Sequence, residues 1–205
     1  MLLSLGRLAR EKDIDVLLGL VGGLGSASTT LLVVGDGPDR PRLEELARRA
    51  GPAGRVVFAG SVPRREAVRY YRLSDVFVSV SRSESQGLTY SEALACGLPV
   101  VCRRDPSLDG VVTDGVNGWQ LDHPADFRAA LDHLADPAVH DRVSTGAAGW
   151  AVENASAADF GRRLLAIYES TGARERRGAS TGPRDLARVG GRRSPALVRG
   201  RCGRP

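Results

Sequence analysis

The sequence has few of the residues that build metal sites and disulfide frameworks. Its three cysteines, Cys96, Cys102 and Cys202, show no CxxC spacing and are odd in number. A zinc site or a set of disulfides is therefore not expected. We predict instead that Cys96 and Cys102 are small buried apolar side chains.

A long hydrophobic run is also missing. No apolar segment approaches the roughly 18 residues that a membrane-spanning helix needs. The first residues, MLLSLGRLAREK, reach charge too early for the apolar core of a signal peptide. The composition, 42% hydrophobic and 26% charged, is that of a globular protein with a substantial core. These features predict a cytoplasmic protein.

Acidic residues are scarce near the carboxyl terminus. Residues 172–205 contain ten arginines against Glu175 and Asp185, a net charge of +8, so residues 1–171 carry −3 of the total of +5. The segment is rich in Gly, Pro and Ser, and we predict a disordered basic tail after a domain at 1–171. The tail either contacts anionic lipid or nucleic acid, or is a solvated extension without function. We favour the extension and expect no nucleic-acid partner.

Short apolar runs alternate with longer amphipathic segments over the first half of the chain. Strands are predicted at 2–6, 30–35, 55–60, 75–81 and 98–102, and helices at 12–24, 39–50, 64–73 and 88–96. A short strand near 116–121 and helices at 124–135, 138–150 and 156–170 follow. Continuous apolar strands between helices are typical of a parallel sheet that is buried on both faces. The predicted fold class is α/β, a Rossmann-like parallel sheet flanked by helices.

In such a sheet, ligands bind beyond the carboxyl ends of the strands. The loop after the first predicted strand carries Arg7 and Lys12, and Lys12 is the one lysine among 29 basic residues. A planar arginine fork and a compact lysine charge together suit a diphosphate. The alternative is a pair of solvated surface charges.

The loop after the second predicted strand contains Gly35 and Gly37 in the stretch VVGDGPD. The full dinucleotide pattern G-x-G-x-x-G is absent, because Arg40 stands at its last position. The stretch therefore predicts a tight turn and a helix start rather than a dinucleotide site.

Residues 81–101, SRSESQGLTYSEALACGLPVV, place Glu84 before a glycine-centred bend and Glu92 in the helix beyond it. The amino-terminal end of that helix, near Leu88, favours an anion through its free N–H groups and its dipole. Carboxylates accept hydrogen bonds from sugar hydroxyls, so Glu84 and Glu92 suit a diphosphate with a sugar at each end. Alternatively, Glu84 is an exposed loop charge and Glu92 is a charge favoured by the helix dipole.

Residues 2–170 resemble the carboxyl-terminal, nucleotide-sugar-binding domain of family 4 retaining glycosyltransferases, which have the two-domain GT-B fold. The resemblance is carried by the stretches GRLAREK, LLVVGDGP, RVVFAGSV, SDVFVSVSRSESQGLTYSEALACGLPVV and DGVNGWQL. The segment SESQGLTYSEA resembles the variant of diacylglycerol glucosyltransferases, which implies UDP-glucose and a lipid acceptor. The sequence departs from the family in two places, because the family commonly has Gly where Asp13 stands and Gly-Phe-Gly where Ser85-Gln86-Gly87 stands.

The resemblance implies a role for each candidate residue. Arg7 and Lys12 would neutralise the donor diphosphate and Glu84 would contact the donor sugar, which makes these three the catalytic candidates. The donor-binding candidates are the backbone near Val62 for the base, the amides of Gln86, Gly87 and Leu88 for sugar and phosphate, and Glu92 for the ribose. No metal or other cofactor is implied, because the cations and the helix dipole would stabilise the leaving diphosphate.

The resemblance also implies a partner domain. Family members begin with an amino-terminal acceptor-binding domain, whereas this sequence begins inside the first strand of the second domain. We therefore expect a donor domain for retaining transfer from a nucleoside-diphosphate hexose, with a UDP-sugar as the favoured donor, and we expect it to be inactive without an acceptor-binding domain or chain. A non-catalytic subunit of a split enzyme and a non-functional gene fragment remain alternatives, as does peripheral contact with the inner face of the membrane.

Overall fold

Six short strands form one parallel sheet in the computed structural model, which describes residues 1–25, 28–50, 56–82 and 87–155. The strands are β1 (Leu2–Leu5), β2 (Leu31–Val34), β3 (Val56–Gly60), β4 (Val76–Ser79), β5 (Val100–Arg103) and β6 (Gly118–Leu121). Their order across the sheet is β3-β2-β1-β4-β5-β6. Because β1 pairs with both β2 and β4, the strand order reverses beside β1. This reversal opens a crevice at the carboxyl ends of β1 and β4.

Helices follow most of the strands. They are α1 (Ile14–Gly23), α2 (Arg40–Ala50), α3 (Arg64–Leu73), α4 (Leu88–Ala95), α5 (Asp126–Leu134) and α6 (Pro137–Asn154), with short 3-10 turns at Arg10–Lys12 and Pro106–Leu108. Within residues 1–25, 28–50, 56–82 and 87–155, no helix is both long and apolar enough to span a bilayer. The helix predicted at 156–170 and the boundary predicted between 171 and 172 lie outside the described residues.

The core consists of two apolar clusters, one on each face of the sheet. Alternate residues of one strand enter different clusters, as Val76 and Val78 do on one side and Phe77 on the other. Side chains of a strand alternate between faces, so the clusters lie on opposite sides. Helices α1, α2 and α5 pack on the first face, and α3 and α4 pack on the second. The predicted parallel sheet flanked by helices is confirmed.

Three details differ from the sequence predictions. Strand β3 is an edge strand with Val57 45% exposed, so it is not buried on both faces. Cys102 is buried as predicted, but Cys96 is only half-buried because it follows the last turn of α4. Helix α6 continues past the predicted end at residue 150, to Asn154. The glycine at position 146 of α6 has a packing role, because the missing side chain lets the helix lie directly against the Val116 carbonyl.

Candidate functional site

Two neighbouring cavities lie at the carboxyl ends of the strands. The first has a volume of 240 Å³ and is lined by Ser4, Leu5, Gly6, Arg7, Leu8, Lys12, Ile14, Phe77, Ser79, Gly87, Leu88 and Thr89. The second has a volume of 390 Å³ and is lined by Leu5, Gly6, Arg7, Val34, Gly35, Asp36, Ser61, Val62, Arg64, Ala67, Leu88, Thr89 and Glu92. Arg7 and Leu88 line both cavities, so an elongated ligand can extend from one into the other.

Most of the predicted site residues meet here. Arg7, Lys12, Gly87 and Leu88 line the first cavity. Arg7 and Leu88 also line the second, together with Val62 and Glu92. Glu84 and Gln86 lie outside the described residues, and their roles stay predictions.

The loop that carries Arg7 is fixed by close backbone packing against the loop after β2. The Leu8 N–H donates to the Asp36 carbonyl at 3.0 Å, and the Asp39 N–H donates to the Leu8 carbonyl at 3.1 Å. A Cβ on Gly37 would lie 2.2 Å from the Leu8 carbonyl oxygen, closer than any real side chain can approach. The Gly-x-Gly pair is thus explained by contact between two loops.

Positive charge converges on the first cavity from two elements. Arg7 and Lys12 come from the loop after β1, and Gly87, in the left-handed conformation with φ 56°, precedes the first turn of α4. The first N–H groups of a helix have no intrahelical acceptor and lie at the positive end of its dipole. The Tyr90 hydroxyl donates to Ser79 Oγ at 2.8 Å and ties α4 to the end of β4. This cavity therefore has the electrostatics of an anion site.

Glu92 occupies the second cavity with both carboxylate oxygens engaged. Arg64 Nη2 donates to Oε1 at 2.9 Å, and the Tyr71 hydroxyl donates to Oε2 at 3.0 Å. Burial raises the pKa of Tyr71, and the negative charge of Glu92 adds to this rise. Tyr71 therefore remains a hydrogen-bond donor throughout the neutral range. The Glu92 side chain is still 31% exposed, so its remaining lone pairs can accept from a ligand hydroxyl.

Sequence reasoning missed Arg64 and Tyr71. They lie seven residues apart on α3, a spacing that places two side chains on the same face of a helix. The spacing indicates that the two side chains share a helix face, but nothing in the sequence connects this face with Glu92.

The second cavity also contains one carboxylate outside the predicted set. Asp36 accepts from the Gly37 N–H at 2.7 Å and from Arg40 Nη1 at 2.9 Å. These two hydrogen bonds, the Gly37 bond foremost, hold the pKa of Asp36 below its usual value. Because Asp36 is so engaged, it orders the turn before α2.

No group of three or more His, Cys, Asp or Glu side chains that could hold a metal ion occurs in the part of the chain that the structure describes. The expectation that no metal or other cofactor is needed stays a prediction. Two cations and a helix terminus beside a hydrogen-bonding carboxylate are suited to an anion that is linked to a hydroxyl-bearing group.

Known proteins are similar to this chain in sequence and in fold. Residues 1–137 match the model of the family described as Glycosyl transferases group 1. An alpha-monoglucosyldiacylglycerol synthase of Streptococcus pneumoniae is 34% identical over 171 residues, 82% of this chain and 38% of that protein. A GDP-mannose-dependent alpha-(1-6)-phosphatidylinositol monomannoside mannosyltransferase of Mycolicibacterium smegmatis is 33% identical over 187 residues, 85% of this chain and 48% of that protein.

Solved glycosyltransferase structures have the same fold. The pneumococcal O-GlcNAc transferase GtfA, solved with UDP and GlcNAc, matches with a TM-score of 0.68 at 24% identity, over 74% of this chain and 32% of that one. Anabaena HepE, solved with UDP and glucose, matches with a TM-score of 0.73 at 20% identity, over 82% of this chain and 48% of that one. The predicted relationship to one half of a GT-B glycosyltransferase is confirmed.

The chain spans 38% of the pneumococcal synthase and 48% of the Mycolicibacterium mannosyltransferase, less than half the length of either. The matched part contains both cavities and the strand order described above. The chain belongs to the group 1 glycosyltransferase family.

Proposed function

We propose that this chain is the donor-binding domain of a retaining glycosyltransferase and binds a nucleoside-diphosphate hexose. The observation that carries the proposal is that Arg7, Lys12 and the first turn of α4 share one cavity, which adjoins a second cavity containing Glu92. In this arrangement the diphosphate lies between the cations and the helix terminus. The ribose contacts Glu92, and the base lies near the backbone of Val62.

The donor that we favour is UDP-glucose. Two of the solved relatives in fold carry UDP, and HepE carries UDP and glucose. The pneumococcal relative is named as a synthase of a glucosyl diacylglycerol, which supports a lipid hydroxyl as the acceptor of the complete enzyme. A lipid acceptor would bring that enzyme into peripheral contact with a membrane surface.

The chemistry proposed for this site is electrostatic. As the bond between the sugar and the diphosphate breaks, negative charge builds up on the diphosphate oxygens. Arg7, Lys12 and the amides at the start of α4 would stabilise that charge without a metal, because they are held in place before the reaction begins. Glu84 would hold hydroxyls of the transferred sugar.

The acceptor would be held by a separate domain or chain. A second candidate function is a nucleotide-sugar-binding subunit of a split enzyme, which would use the same two cavities. Both candidates require the same donor site and differ in where the acceptor-binding part is encoded.

The donor site can be tested by calorimetric titration with UDP, UDP-glucose and GDP-mannose. We expect UDP and UDP-glucose to bind and GDP-mannose to bind more weakly. The variant Arg7→Ala/Lys12→Ala should lose at least about 100-fold in affinity, because it removes two charge-assisted hydrogen-bond donors that contribute about 1.5–3 kcal/mol each.

A matched control removes two cations elsewhere. Arg48 and Arg49 are 71% and 73% exposed on α2 and pair only with Glu45 among the contacts described. Arg48→Ala/Arg49→Ala should bind UDP like the original chain. Equal UDP affinity in the Arg7/Lys12 variant would refute the proposed site, and tighter binding of GDP-mannose would refute the proposed donor.

A further inference from the structure

Asp13 combines a rare backbone conformation with a buried charge. Its φ of 48° lies in the left-handed region, and it is the one non-glycine residue with positive φ among the described residues. Its side chain is only 7% exposed. Glycine would adopt this conformation more readily, although aspartate tolerates it better than most residues. The carboxylate therefore needs a partner that makes its burial favourable.

That partner, Arg82, lies three residues after the end of β4. Arg82 Nη2 donates to Asp13 Oδ1 at 2.7 Å, and Arg82 Nε lies 2.6 Å from Oδ2. This is the two-pronged geometry that makes an arginine–carboxylate pair strong and directional. Arg103, at the end of β5, approaches the same carboxylate at 3.8 Å.

The same segment also binds the residue on the other side of Lys12. The Arg82 N–H donates to the Glu11 carbonyl at 3.1 Å, and the Ser81 hydroxyl donates to that carbonyl at 3.4 Å. Lys12 closes the 3-10 turn through its own N–H, which donates to the Ala9 carbonyl at 3.0 Å. Both sequence neighbours of Lys12 are thus bound to the end of β4.

We propose that Asp13 and Arg82 are positioning residues. They hold Lys12 in the first cavity by binding its 3-10 turn to the segment at residues 81–82, which follows β4. This inference rests on the proposed function, because it assigns Lys12 to a diphosphate. Arg82 is not among the described residues that line either cavity, and its Nε and Nη2 both face Asp13. Loss of the pair leaves the charge of Lys12 unchanged but widens the range of positions that its turn can adopt.

The two side chains of the pair differ in burial, since Asp13 is buried and Arg82 is exposed, so their single variants should differ in stability. Arg82→Gln leaves the buried Asp13 carboxylate with Arg103, 3.8 Å away, as its remaining cation among the described residues, so this variant should be the less stable one. Asp13→Asn leaves an Arg82 side chain that is 63% exposed and readily hydrated, so its stability should change little. The double variant Asp13→Asn/Arg82→Gln has no buried charge and should regain most of the stability that Arg82→Gln loses.

Affinity for UDP should follow a different order. If the pair positions Lys12, both single variants and the double variant should bind UDP about tenfold more weakly, because none of them retains the ion pair between residues 13 and 82. A pair with a purely structural role would instead give a double variant that recovers affinity together with stability. The comparison of unfolding midpoint and UDP affinity across the four proteins therefore isolates the positioning role.

The single lysine gives a second readout at the site itself. Amine acylation at Lys12, followed by mass spectrometry of its peptide, reports on one side chain without interference from other lysines. At one fixed UDP concentration that saturates the original chain, UDP should slow acylation of Lys12 strongly there and about tenfold less in the Asp13 and Arg82 variants. The N-terminal amine serves as an internal reference.

A matched control changes another arginine–aspartate pair that joins neighbouring strand ends. Arg104 Nε donates to Asp122 Oδ1 at 2.6 Å, and neither residue lines the two cavities. Arg104→Gln/Asp122→Asn should leave UDP affinity and Lys12 protection unchanged.

The possible outcomes test the positioning role separately from the proposed donor site. Weaker UDP binding and weaker Lys12 protection in all three Asp13/Arg82 variants, with stability restored in the double variant, supports the inference. UDP binding by these variants at the affinity of the original chain overturns the inference and leaves the proposed function intact. A folded original chain that binds no UDP overturns both.

Discussion

Glu92 shows how much one predicted residue depends on neighbours that its own segment does not reveal. Its place in the second cavity follows from the Glu84–Glu92 spacing and the helix that begins after the bend. Its orientation depends on Arg64 and Tyr71 of α3, which bind one carboxylate oxygen each. A carboxylate held on two sides is prepared to accept ligand hydroxyls without first losing rotational freedom.

Tyr71→Phe should lower the free energy of unfolding by about 1.5 kcal/mol at pH 7, because it removes a part-buried hydrogen bond to a charged acceptor. The ring and its packing against Phe77, with centroids 6.1 Å apart, are retained. Arg64→Gln makes a useful comparison, because Arg64 is 79% exposed and its bond to Glu92 should contribute less.

The difference between the original chain and Tyr71→Phe should depend on pH. In the unfolded chain Tyr71 loses its proton near its ordinary pKa of 10.0, whereas burial keeps it protonated in the folded protein. The stabilisation is therefore complete below pH 10 and decreases above it, by up to about 1.4 kcal/mol per pH unit. Urea unfolding between pH 7 and 11.5 measures this, and a difference that stays constant with pH would contradict it.

At the scale of elements, the loops after β1 and β2 behave as one unit because their backbones touch. Gly37→Ala should destabilise the protein by about 1–3 kcal/mol, since the new Cβ would meet the Leu8 carbonyl and neither backbone can yield easily. UDP affinity should fall as well, because Leu8 follows Arg7 directly.

The control for this change is Gly19→Ala in α1. Nothing lies within 4 Å of a Cβ at Gly19, so alanine should stabilise the helix by about 0.5–1 kcal/mol. Chemical unfolding and UDP titration of both variants test the contact. Equal stability and affinity for Gly37→Ala and the original chain would show that the loops are not coupled.

Sequence patterns located the elements well because each depends on local chemistry. The five strands predicted before residue 103 are all present, and so are the helices between them. The errors occur where a contact across the fold decides. Helix α1 begins at Ile14 rather than near residue 12, because Asp13 turns left-handed where it meets Arg82. Helix α6 ends at Asn154 rather than at residue 150, because Ala151 still packs into the core on the second face.

At the scale of the whole molecule, the site is produced by strand order. Arg7 and Glu92 are 85 residues apart, and they meet because β1 lies beside β4 and α4 follows β4. The rule that ligands bind at the carboxyl ends of parallel strands pointed to loops that line the two cavities. The neighbours Arg64, Tyr71 and Arg82 could not be predicted in this way, because their contacts depend on how helices and loops pack on the sheet.

Residues 1–205 alone should bind a donor and not transfer its sugar. The described lining of both cavities comes from residues 4–92, at the ends of β1 to β4, and these residues are suited to the diphosphate and its sugars. Transfer also needs an acceptor hydroxyl held against the anomeric carbon, and the loss of such positioning costs a factor of about 10⁵ or more in rate. Incubation with radiolabelled UDP-glucose and diacylglycerol micelles should therefore give no more glucolipid than the Arg7→Ala/Lys12→Ala variant gives. Glucolipid formed by the original chain and not by that variant would mean that the residues beyond the described lining also hold the acceptor.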